Sequence, residues 1–163
     1  MVHRQQRTVT SCPLCQHHDS EDLLHALCCQ SDSSYTHRND LLQAFELWLP
    51  SVHTHHEISS FLVDGLCQWF SDPHVWLTPP HSSNHDMANA LVGQQEIGWF
   101  ALLCGFLSPS PAVAVQHQHY RTLPTKITGD TWAPTRKLIA QELWSLAHST
   151  IWVHRNSALH ERL

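Results

Sequence analysis

Apolar residues recur along most of this chain every three or four positions, and strict alternation never runs beyond four or five residues. That period predicts helices and no sheet. Leu41, Leu42, Phe45, Leu47, Trp48 and Leu49 form the first block, with Asn39 or Asp40 placed to cap it and Pro50 to stop it. A second helix is expected from near His55, carrying Ile58, Phe61, Leu62, Leu66, Trp69 and Phe70, and ended by Asp72-Pro73. Residues 73–86 hold three prolines and a Ser-Ser-Asn run, so they read as a loop. A third helix is expected over about Met87 to Leu107. Gly98 and Gly105, seven apart, share one face of that helix. Each costs roughly 1 kcal/mol against Ala, which suggests the close approach of a neighbouring helix. Pro109 and Pro111 break the pattern before a short helix from Ala112 to about Tyr120. Thr128-Gly129-Asp130 then precedes a long last helix, from about Trp132 to near the C-terminus, with Pro134 tolerated in its first turn. Ile139, Leu143, Ala147 and Ile151 lie on one side of it, and Trp152 and Leu159 nearly opposite. A helix apolar on two sides is central in a bundle or covered by a partner.

The front of the chain is built differently. Residues 1–11 read as a flexible leader, and residues 12–29 contain four of the six cysteines. The polar stretch Gln30 to Ser34 reads as a hinge. The expected organisation is therefore a zinc-binding knuckle with its leader over 1–35 and a helical domain over 36–163. The fold class is mainly α: a small N-terminal zinc knuckle followed by an irregular helical bundle with a long C-terminal helix.

The knuckle rests on spacing. Cys12-Pro13-Leu14-Cys15 is followed, after nine intervening residues, by His25-Ala26-Leu27-Cys28-Cys29. A Cys-x2-Cys turn points two sulfurs at one ion, and zinc completes its tetrahedron with two further nitrogen or sulfur ligands. His25 and Cys29, at i and i+4, share a helix face. Cys28, at i+3, can also reach, so geometry leaves the fourth ligand open between Cys28 and Cys29. Glu21-Asp22 suits the N-terminus of that helix, and His17 and His18 read as solvent-exposed loop residues. A segment this short folds only with a staple, and a closed set of four protein ligands is structural, not catalytic. Cys67 and Cys104 sit among apolar residues and read as core thiols.

Composition narrows the function classes. Charged residues are only 14% of the 163, and His, with 16 copies, supplies much of the remaining polarity. The net charge of −5 is uneven: residues 1–119 hold three basic and eleven acidic residues, and residues 120–163 hold six basic and three acidic. An acidic whole argues against tight, non-specific duplex binding, while the basic end leaves room for a weak phosphate contact. There is no apolar signal at Met1 to Thr10, and the longest apolar run, Ile97 to Leu107, is too short to span a bilayer. The expectation is an intracellular protein, nuclear or cytoplasmic, with no membrane partner. Its cysteines are then metal ligands or thiols and not disulfides.

Cys-Pro-x-Cys, then Glu21 four residues before His25, then His-x3-Cys, resembles the zinc-binding segment downstream of the polymerase domain in non-LTR retroelement reverse transcriptases. A second set of matches is similar to the helical tail of such polyproteins: Gln95-Glu96-Ile97-Gly98-Trp99, Gly105-Phe106-Leu107-Ser108, Gln116-x-Gln118-His119-Tyr120, Trp132, and Trp152-Val-His-Arg155-Asn156 with Leu159-His160. The family spacing favours Cys29 over Cys28, giving Cys12, Cys15, His25 and Cys29 as ligands of one structural zinc. The resemblance implies a role in engaging template RNA or target DNA, alongside a polymerase domain or another protein. It does not carry polymerase activity to this chain, which has no Tyr-x-Asp-Asp signature.

Other chemistries fail on pattern. In His53-Thr54-His55-His56-Glu57-Ile58, Glu57 and Ile58 stand where the metallo-β-lactamase motif has its Asp and the following His. His56-Glu57 and His160-Glu161 lack the second His of a zincin. The first cluster reads as an exposed helix start. No phosphate-binding Gly-rich loop and no Gly-x-Ser-x-Gly elbow occurs, so no catalytic residue and no small-molecule substrate is assigned. Arg155, one turn from Trp152, is placed to stack on it, either bracing helices or reaching phosphate and base together with Asn156, Arg136 and Lys137. The expected function is a non-catalytic zinc-binding module that assists nucleic-acid engagement. The alternative is a helical protein-interaction module with a structural zinc and no nucleic-acid role.

Overall fold

The computed structural model describes residues 12–15, 23–77, 85–108, 112–123 and 132–161. The expectations for residues 1–11, His17, His18, Glu21, Asp22 and Thr128-Gly129-Asp130 lie outside them. The described residues form helices and turns, with no strand among them. In order, the helices are α1 (Leu23–Cys28), α2 (Asp32–Trp48), α3 (His56–Ser71), α4 (His85–Ile97), α5 (Trp99–Leu103), α6 (Ala112–Thr122), α7 (Trp132–Ala147) and α8 (Val153–His160). A 3-10 turn at Leu49–Val52 follows α2, and a π segment at His148–Trp152 joins α7 to α8. No helix among the described residues is long and apolar enough to cross a membrane.

The core lies where α2, α3 and α7 meet. Leu41, Leu42 and Phe45 of α2 face Ile58, Leu62 and Leu66 of α3 and Ile139, Leu143 and Ala147 of α7, and all are buried. The i, i+4 rows of these side chains give each helix one apolar stripe. Ile151 extends the buried row of α7, as the sequence predicts. The last helix stays continuous through the π segment, whose closing bond runs from Val153 N–H to the His148 carbonyl. Beyond it, α8 has no buried residue, and the second apolar side is only partly covered, with Trp152 38% exposed and Leu159 half-buried.

Four expectations are corrected. The first concerns α2, which starts at Asp32 and not near Asn39. Ser31 caps it, accepting from Ser34 N–H at 3.2 Å. The stretch read as a hinge is thus a helix cap and first turn, and the boundary expected at 35/36 falls inside α2. The second concerns the helix expected over Met87 to Leu107. It is broken at Gly98, which takes φ 89°, and Gly105 takes φ 92° after α5. Both glycines supply left-handed backbone and not a helix contact face. The third is the site of close approach, which is Gly65: a Cβ there would lie 1.9 Å from the Trp99 indole. The fourth is that Cys67 and Cys104 are exposed, not core thiols.

Buried glutamines fix the links between helices. Gln94, fully buried, donates to the Gly98 carbonyl at 3.1 Å and accepts from Ser108 N–H at 2.9 Å. Gln116 donates to the His53 carbonyl and accepts from His55 N–H at 2.9 Å, tying α6 to the start of α3. Each amide satisfies loop groups that burial would otherwise leave unpaired.

Candidate metal centre

Cys12, Cys15, His25 and Cys29 converge, with one ligand atom from each lying within 4.8 Å of all the others. The turn 12–15 brings the first two, and Leu14 N–H donates to Cys12 Sγ at 3.4 Å. Helix α1 brings His25, and Cys29 follows its last residue, so the two sit on one side of a single helical turn. Cys12 Sγ and Cys29 Sγ are 3.8 Å apart, and Cys15 Sγ and His25 Nε2 are 3.3 Å apart. An ion held tetrahedrally at about 2.3 Å from sulfur and about 2.0 Å from nitrogen requires edges of about 3.8 Å and about 3.5 Å. The described geometry therefore fits a four-coordinate metal. Cys28, the competing residue, is buried in the hydrophobic core with Leu27 and stands outside the group.

The thiols are not equivalent. Burial pushes Cys12 up to about 11. Burial acts the same way on Cys29, but hydrogen bonds from the Ser31 backbone and from the Ser34 and Ser31 side chains outweigh it and bring Cys29 to about 7. Cys29 is thus the more readily ionised of the two thiols, and a cation bound at the cluster would require Cys12 to lose its proton. Ser31, which caps α2, lies 3.6 Å from Cys29 Sγ. One residue therefore serves both the helix start and the candidate ligand Cys29.

Arg38 completes the support, and the sequence reading missed it. Its side chain, only 3% exposed, donates to the carbonyls of Leu27 at 3.4 Å and of Cys29. These are carbonyls that the end of α1 leaves without helical partners. Its guanidinium also lies over the Phe70 ring, 5.9 Å from the centroid. Arg38 therefore links the metal loop to α3. The available signal was its rarity, since it is one of three cations in the first 119 residues.

The four cationic-tail residues do not form one patch. Arg136 and Lys137 lie on α7, beside Trp144. Arg155 and Asn156 lie on α8, about 28 Å further along the same continuous helix at 1.5 Å per residue. Arg155 stacks on Trp152 at 5.2 Å, as the spacing predicts, and donates to Asn156 Oδ1 at 3.4 Å. At the His53–Glu57 cluster, His55 caps α3 by accepting from Glu57 N–H, lies tilted against His56 and meets His119 edge-on. Comparison with protein-family models, curated proteins and solved structures returns no match.

Proposed function

We propose that this chain is a non-catalytic, zinc-stapled helical module that acts inside the cell by helping a polymerase engage template RNA or target DNA. The observation that supports the reading is the clustering of three sulfurs and one imidazole within 4.8 Å of one another, a donor set able to surround one tetrahedral ion. That donor set selects zinc over hard cations such as magnesium. Four protein ligands leave no open position for water, so the ion is structural. It fixes the turn 12–15 against α1, a segment with too few apolar residues to hold its own fold.

The nucleic-acid role is supported by the resemblance of residues 12–29 and 95–160 to retroelement tails, and by the cations of the last helix, Arg136, Lys137 and Arg155. With a net charge of −5 the interaction is local and weak on its own. The test is anisotropy of a labelled single-stranded RNA titrated with the zinc-loaded chain at several salt concentrations. Binding that weakens as salt rises is expected.

Absence of binding at low salt replaces this role with the second reading, a protein-interaction module carrying the same structural zinc. Exposed apolar residues on the last helix favour that reading: Leu138 at 46%, Trp144 at 59% and Val153 at 47%.

A further inference from the structure

The first three turns of α7 and the turn that follows α5 enclose a groove of about 550 Å³. Arg136, Ala140 and Trp144 recur every four residues on α7, and Lys137 lies beside them, so they share one face. Cys104 and Gly105 form the opposite wall. A Cβ on Gly105 would meet the Ala140 Cβ at 3.9 Å, an ordinary contact distance, so the turn after α5 lies against α7 at Ala140.

Charge and shape select the occupant. Among the described residues the groove is lined by two cations and no carboxylate, in a chain of net charge −5. Neither Arg136 nor Lys137 has a hydrogen-bond or ion-pair partner among the described residues. An anion is therefore favoured. Trp144, 59% exposed, is one of the groove's lining residues. It lies about 10 Å along the helix axis from Lys137, within the span of a base and its flanking phosphates given the reach of a lysine or arginine side chain.

We propose that this groove is a site for single-stranded nucleic acid, with one base stacked on the Trp144 indole and neighbouring phosphates held by Arg136 and Lys137. The proposal rests on the nucleic-acid reading above and names where it acts. A duplex hides its base faces in its own stack, so it offers Trp144 nothing. An acidic peptide answers the charge but leaves the indole unmatched.

The experiment uses the zinc-loaded full chain and a fluorescein-labelled oligouridylate. Cys104, in the groove wall, and Cys67, on α3 and outside the groove, are both exposed. Alkylation of each by N-ethylmaleimide is followed by mass spectrometry with and without RNA. Protection of Cys104 and unchanged reaction at Cys67 are expected. Trp144→Ala is expected to weaken binding about 5- to 150-fold. The double variant Arg136→Gln, Lys137→Gln is expected to flatten the slope of log affinity against log salt by about 1.4. These side chains lie outside the buried core, so helicity should match the parent.

RNA binding that leaves Cys104 as reactive as before and ignores Trp144→Ala overturns the groove, while the nucleic-acid reading stands. Displacement of the RNA by an equal concentration of oligoglutamate, with Trp144→Ala unaffected, also overturns it, because the groove is then a plain cation patch. No RNA binding by the parent chain overturns the nucleic-acid reading and the groove assignment together.

Discussion

The segments 12–15 and 23–29 and the helical pair α2–α3 are neighbours held by different physics. In α2 and α3 a stripe of Leu, Ile, Phe and Trp is taken out of water, and each side chain adds a little. Around Cys12, Cys15, His25 and Cys29 the convergent groups are polar, and two of the sulfurs approach to 3.8 Å. Burial alone penalises the thiolate forms there. A metal reverses that penalty in one step. The helical part is thus stable by accumulation, and the proposed ion would hold the cysteine-bearing segments by a single switch. Arg38 and the Ser31 cap are where the two meet.

The largest expected effect is metal removal. Structural zinc contributes about 10 kcal/mol or more to small zinc-finger peptides at neutral pH. Chelation should therefore free the amides of residues 23–29 to exchange rapidly, while those of α3 and α7 stay protected. Uniform loss of protection across both regions would show that the helical part leans on the metal too.

Next comes Arg38→Ala. It strips a charged donor from two carbonyls and should cost about 1.5–3 kcal/mol, read as a lower urea midpoint. Because Arg38 joins both regions, zinc affinity in a chelator competition should fall as well. Lost stability with unchanged zinc affinity would mean the two regions are independent.

Gly65→Ala acts on the helical side alone. A helical Ala gains about 1 kcal/mol over Gly. Its Cβ, however, would sit 1.9 Å from the buried Trp99 ring, and overpacking costs about 1–3 kcal/mol or more. Net destabilisation is expected, with zinc affinity intact. A variant as stable as the parent would remove Trp99 from that position.

The smallest effect is acidification. Burial first, and then a neighbouring histidine, lowers His154, which stacks against His37 and sits 2.8 Å from Ser33 Oγ. Burial, then His56, lowers His55 despite the opposing pull of Glu57, and His119 adds to the lowering. With folded values below 6.5, the unfolded chain takes up protons first as the pH falls. The stability they contribute is complete above 6.5 and declines below it, toward the folded values. Thermal melts of Cys29→Ser, in which the metal no longer contributes, should fall modestly below pH 6.5 and less steeply with an added His154→Gln. A rise in Tm on acidification would contradict the sign.

Much of this was legible where the signal was local. The spacing of Ile58, Leu62 and Leu66 marked α3, and Asp72 ended it where the sequence predicts. Cys12, Cys15 and His25 followed from their intervals, because a turn and one helical turn are short-range geometry. The choice of Cys29 over Cys28 needed more than spacing, and the fold separates them by sending Cys28 into the core. The first turns of α2 were missed because Asp32 to Asp40 carries little apolar periodicity; the readable cue was Ser31 ahead of Asp32. The break at Gly98 was missed because a helical pattern on both sides hides a reversal in backbone sign. Cys67 follows Leu66 by one residue, about 100° round the helix from the buried stripe, so apolar neighbours misled where the period would not have. Arg38 was illegible because its partners are backbone carbonyls, which no side-chain pattern announces.

The most direct measurement is native mass spectrometry of the full chain, with Cys28→Ser and Cys29→Ser alongside. One zinc per chain is expected, retained in Cys28→Ser and lost in Cys29→Ser. A chain that holds no zinc, or one that loses it with Cys28 and keeps it without Cys29, would contradict the proposed centre.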